Sequence, residues 1–154
     1  MLKPDTFCLS FYGWTKIDAF ANAWTRSGFK PVGHIVWQKD YASNSGYLDY
    51  HHEQCMLLAK GYPPKPARPL ADIQPWAYTG NRNHPTEKSI EIIKPLIETF
   101  SQPGDMIIDP FLGSGTTAVA AAFAKRRYIG IEMEPDYCAL ARKRLQGTHA
   151  YMDS

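Results

Sequence analysis

The sequence predicts an α/β fold built on a mostly parallel sheet, in one domain. Two observations carry that prediction. Between residues 106 and 145 short apolar runs alternate with helical patterns in the order strand, helix, strand, helix, a βαβ arrangement that implies parallel strands. The chain has 154 residues, 44% hydrophobic and 21% charged, which suits one domain with a real core.

The elements follow in order. Residues 7–11, Phe-Cys-Leu-Ser-Phe, form an apolar run and are expected to be a strand. Over 16–26, Ile17, Phe20, Ala21 and Trp24 recur at the three-and-four spacing of a helix, and Gly28 is a plausible stop. His34-Ile35-Val36-Trp37 is a second strand, and Gln54 to Ala59 a third that could also be helical. From Lys60 to Asn83 five prolines forbid regular structure, and Tyr62, Trp76 and Tyr78 alternate with Lys65, Arg68 and Arg82. That stretch is expected to be a long functional loop within the domain. Ile90, Ile93, Ile97 and Phe100 then mark one face of a helix over 88–100. Pro103-Gly104-Asp105 turns the chain into a buried strand, Met106-Ile107-Ile108, ending in Asp109. A small-residue helix over 116–124, a strand over 128–131 ending in Glu132, and an amphipathic helix over 136–145 with a frayed tail complete the pattern.

Charge and cysteine content narrow the function classes. Net charge is +2, which permits a nucleic-acid partner without arguing for one. Lys125-Arg126-Arg127 and Arg142-Lys143-Arg144 are expected to be solvated helix ends. Cys8, Cys55 and Cys138 are an odd, widely spaced set and do not make a disulfide framework. Cys8 and Cys138 are expected to be buried thiols, in a reducing cytoplasm. No run approaches the roughly 20 apolar residues of a membrane span, and Met1-Leu2-Lys3-Pro4-Asp5 is unlike a signal peptide. His51, His52 and Cys55 have no second pair at metal-ligand spacing, so no metal is expected.

The sharpest feature is Asp109-Pro110-Phe111-Leu112-Gly113-Ser114-Gly115-Thr116-Thr117, which follows a strand and opens a helix. Its glycines allow a tight turn and close approach of a ligand to the backbone. Glu132, at the end of the next strand, is placed to accept hydrogen bonds from ribose hydroxyls. A dinucleotide site wants a third glycine where Ala118 stands, and a P-loop wants a lysine that the turn lacks. A nucleoside ligand without pyrophosphate therefore fits best, the alternative being a turn whose glycines serve geometry alone.

This turn resembles the cofactor motif of the N4-cytosine and N6-adenine DNA methyltransferases. His84-Pro85-Thr86-Glu87-Lys88 upstream and Tyr128-Ile129-Gly130-Ile131-Glu132 downstream resemble the same family in the same order. Leu2-Lys3-Pro4, Gly28-Phe29, Val36-Trp37-Gln38-Lys39, His52-Glu53 and Ala59-Lys60-Gly61 extend the resemblance over nearly the whole chain, in the circularly permuted β arrangement. The resemblance implies a Rossmann-like fold that binds S-adenosylmethionine and acts on double-stranded DNA, adenine N6 before cytosine N4. It implies that Asp109, Pro110, Phe111, Gly113, Ser114, Gly115 and Thr116 hold the methionine end of the cofactor. Thr86 and Lys88 would sit beside its carboxylate, Glu132 would take the ribose, and Met133 would pack on the adenine. The loop over 60–83 would be the target-recognition region, with Arg68, Trp76 and Arg82 on DNA.

One departure matters as much. The family carries Asp/Ser/Asn-Pro-Pro-aromatic at the end of a strand, where it holds the target amino group and stacks on the flipped base. The single Pro-Pro here, Pro63-Pro64, follows Tyr62 and has no preceding acid, so no catalytic residue is nominated. The resemblance places the missing strand in mid-sheet, between the strands at 6–11 and 106–109. The chain is then expected to be inactive alone, and to self-associate or take an upstream half-chain that carries the motif. The rival class is a non-catalytic remnant that binds cofactor or DNA.

Overall fold

The computed structural model describes residues 2–43, 46–76 and 88–152, and the side chains of these through 148. Two compact units divide the chain, Met1–Trp76 and Ala77–Ser154.

The first unit is a four-stranded sheet. Its strands are β1 (Thr6–Phe11), β2 (Lys30–Gln38), β3 (His52–Lys60) and β4 (Ile73–Pro75), in the order β1-β3-β2-β4. Helix α1 (Ile17–Arg26) follows β1 after a 3-10 turn at Trp14–Lys16. Because a helix joins β1 to β2, the two run parallel but not adjacent, and β3 inserts between them antiparallel to both. The expectation of a mostly parallel sheet therefore fails in this unit, where only β4 pairs in parallel, with β2. The reason is local: residues 39–51 contain no crossover helix, so the chain turns back on β2. Strand β3 is central, and Cys55 and Leu58 on it are fully buried, one on each face. Trp24 of α1 covers one face, its indole N–H donating to Ser10 Oγ at 3.2 Å beside Tyr12 and Phe20. The thiols are placed differently from expectation, with Cys55 the buried one and Cys8 and Cys138 half-buried.

A second correction concerns β4. The proline-rich stretch does contain a strand, and it ends in Pro75. A proline is tolerated there because β4 is the sheet's edge and its outer side needs no donor.

The second unit contains α2 (Ile90–Phe100), β5 (Met106–Asp109), α3 (Thr116–Phe123), β6 (Arg127–Gly130) and α4 (Pro135–Met152). Strands β5 and β6 pair in parallel, as the alternation of elements implied. Helix α3 packs on them and is itself flanked by α2 and α4. It is buried nearly all round, from Ala118 to Ala122, and its small side chains are what let two helices approach it. Helix α4 runs well past the expected fraying point to Met152, because Thr148 is buried and its hydroxyl donates to Arg144 O at 3.0 Å. Among the described residues no helix is long and apolar enough to cross a membrane.

Candidate functional site

The glycine turn is built outward from β5. The strand ladder continues past its end, with Ile131 N–H donating to Asp109 O and Leu112 N–H to Ile131 O, both at 2.9 Å. The Asp109 carboxylate accepts Phe111 N–H at 2.9 Å and so holds the first bend. Gly113 and Gly115 both have left-handed backbone, φ 56° and 90°, and Gly115 caps α3. A methyl group on Gly115 would stand 2.8 Å from Ala141 Cβ on α4, so glycine is required twice there, by angle and by space.

Glu132 closes the turn from the neighbouring strand. Its Oε2 accepts Gly113 N–H at 2.7 Å across 19 residues of sequence. Its Oε1 accepts Met133 N–H at 2.8 Å and Glu134 N–H at 3.0 Å. Three backbone donors thus hold this carboxylate at the mouth of the turn. Phe111 and Met133 are 88% and 87% exposed, so two large apolar side chains stand open at the same turn.

Ser114 and Thr116 are placed differently from their expected ligand role. Both are buried, and Arg144 of α4 donates to Ser114 O and Oγ at 2.9 Å and to Thr116 Oγ1 at 3.2 Å. Their side chains serve the link to α4, which leaves their backbone for a ligand. Lys88 is half-buried just before Ser89, whose hydroxyl caps α2 by accepting Ile92 N–H at 3.2 Å. Pro110 is exposed at the end of β5. Thr86 and Arg82 lie outside the described residues.

The other expected DNA contacts belong to the first unit. Arg68 is exposed in the irregular stretch before β4. Trp76 is half-buried; its N–H donates to Gln38 O at 2.9 Å, and its ring lies 5.2 Å from Lys39 Nζ. Lys39 is buried and paired with Glu53 at 2.5 Å.

Sequence reasoning missed Arg144 and Ala141, which fix the turn from α4. The three-residue spacing puts them on one helix face, a signal that was there to be used. The two basic clusters are also corrected. Besides Arg144, Arg126 turns back to Ser101, donating from Nε to its hydroxyl at 3.0 Å and from Nη2 to its carbonyl at 2.7 Å.

A family model described as DNA methylase matches residues 1–143. YubD of Escherichia coli (strain K12) is 47% identical over 152 residues, covering 99% of this chain and 67% of its own length. Type II methyltransferase M2.DpnII of Streptococcus pneumoniae is 31% identical over 167 residues, covering 95% of this chain and 62% of its own length. Among solved structures, the M1.HpyAVI–SAM complex superposes with a TM-score of 0.77 at 27% identity, over 94% of this chain and 76% of that one. This chain thus spans about two thirds of the curated relatives it matches.

Proposed function

The chain belongs to the DNA methylase family, and from that premise we propose that it forms the cofactor-binding part of an enzyme methylating double-stranded DNA from S-adenosylmethionine. The target we assign is an exocyclic amino group, adenine N6 rather than cytosine N4, on the family resemblance alone. The observation that carries the reading is the bond from Gly113 N–H to Glu132, which joins the glycine turn and the expected ribose acceptor at one place.

S-adenosylmethionine supplies a methyl group on a sulfonium, already an electrophile. The residues here bind and orient. The turn from Asp109 to Gly115 offers backbone to the methionine end, and Thr86 and Lys88 stand near its carboxylate. Glu132 accepts the ribose hydroxyls, its carboxylate kept in place by Met133 and Glu134 N–H. Met133 and Phe111 supply apolar surface to the adenine end and the turn. Arg144 is a positioning residue that ties the turn to α4.

No residue of this chain holds the target amino group. The acceptor for it belongs to a further segment, in the same polypeptide or another. A second reading, a binding module without catalysis, draws on the same absence of an Asp-Pro-Pro-aromatic motif.

Titration calorimetry of S-adenosylhomocysteine with the chain and with Glu132→Gln tests the site. A charge-assisted hydrogen bond contributes about 1.5–3 kcal/mol, so Glu132→Gln is expected to weaken binding about tenfold or more. Equal affinities remove Glu132 from the site. Labelled-methyl transfer to unmethylated DNA by the chain alone is expected to stay at background, and mass analysis of the nucleosides made with a completing segment identifies the methylated base. For DNA contact, Arg68→Ala with Arg82→Ala is expected to flatten the salt dependence of binding, and an unchanged slope excludes the loop.

A further inference from the structure

The two-stranded sheet of the second unit has one covered face and one bare face. Helix α3 covers the first. On the other, Met106, Ile108, Ile129 and Ile131 are 40%, 45%, 48% and 53% exposed. Register puts Ile108 beside Ile129 and Met106 beside Arg127, so strand alternation gathers these side chains on one surface. Parallel strands occur almost only where helices cover both faces, because their crossover connections put helices there and their sequences are apolar on both sides. Four aliphatic side chains side by side in water are therefore an interface without its other half.

We infer that this face is the docking surface for an amphipathic helix, supplied by the stretch of polypeptide by which the relatives exceed this chain. About a third of YubD and of M2.DpnII lies outside what this chain covers, enough for several elements. The four-residue strands are about 13 Å long, which a helix of about 9 residues spans. The occupant carries an aliphatic stripe toward Ile108, Ile129 and Ile131, and an acid where the surface ends at Arg127, itself exposed. The inference rests on the reading that a further segment completes the enzyme, and it adds where that segment lands.

The test is co-expression of this chain with the portion of YubD that it does not match, followed by size-exclusion chromatography. A one-to-one complex is expected. Ile108→Asp and Ile129→Asp should each reduce it about tenfold or more, and the milder Ile108→Thr with Ile129→Thr should reduce it with the β-propensity kept. Tyr47→Ser, which alters a wholly exposed aromatic of the first unit, should leave it unchanged. Circular dichroism of each variant shows that the chain still folds. A complex indifferent to the face substitutions overturns the inference, as does failure to form any complex. So does a stable dimer of the chain alone that Ile129→Asp dissolves, because the occupant is then a second copy. S-adenosylhomocysteine binding, measured separately, fails only if the cofactor reading fails.

Discussion

At the scale of single residues, Gly115 shows how a turn becomes a site. Its φ of 90° is costly for any side chain, and Ala141 leaves no room for one. Gly115→Ala combines a left-handed penalty of about 1–2 kcal/mol with overpacking of about 1–3 kcal/mol. Urea unfolding is expected to show a loss of about 3 kcal/mol. Gly115→Ala with Ala141→Gly should recover the steric part and not the angular part. Full stability in the single variant refutes the close approach of α4. Lys125 is the converse case, a non-glycine residue at φ 57° just after α3. There Arg126 N–H donates to Ala121 O at 2.8 Å and Lys125 N–H to Ala122 O at 2.9 Å, closing the helix end. Lys125→Gly is expected to stabilise by about 1 kcal/mol, read as a raised melting temperature.

At the scale of elements, α4 does more than flank the sheet. One guanidinium, Arg144, binds three acceptors on the turn from Ser114 to Thr116. Arg144→Met keeps most of the aliphatic packing and removes the donors. It leaves the buried Ser114 and Thr116 oxygens short of a partner, at about 1–3 kcal/mol each. The expected result is a lower melting temperature together with weaker S-adenosylhomocysteine binding, since the turn is held from this side. A variant that melts normally and binds normally shows that α4 does not position the turn.

At the scale of the whole molecule, the strand edges matter most. Among the described residues β1 bonds only to β3, and β5 only to β6, so each has an edge without a strand. An isolated two-stranded sheet is marginal, and here one of its faces is bare as well. A domain of this size has about 5–15 kcal/mol of net stability, which a few exposed apolar groups and open edges erode. The chain alone is therefore expected to melt early and broadly by calorimetry, and its melting temperature to rise when the completing segment is bound. A sharp, high transition in the isolated monomer contradicts this account.

The βαβ unit, the glycine turn, Glu132 at the strand end and the irregular proline-rich stretch were legible in sequence because each rests on local rules. These are side-chain period, turn chemistry and the short reach of a glycine loop into a helix. The antiparallel insertion of β3 was not legible, since pairing partners are chosen by which apolar faces meet, and Cys55 and Leu58 do not announce their neighbours. The short strand β4 was hidden because proline counts against a strand everywhere except at an edge, and edge position is a tertiary fact. Ser114 and Thr116 read as ligand contacts because sequence shows a residue's place in a motif but not the direction of its side chain. Arg144, 28 residues after Thr116, took those side chains inward, and only the packing of α4 on α3 decides that. Sequence by itself determined the chemistry on offer at the turn. Tertiary structure decided which groups face outward to use it, because side-chain direction follows from burial, and burial belongs to the folded whole.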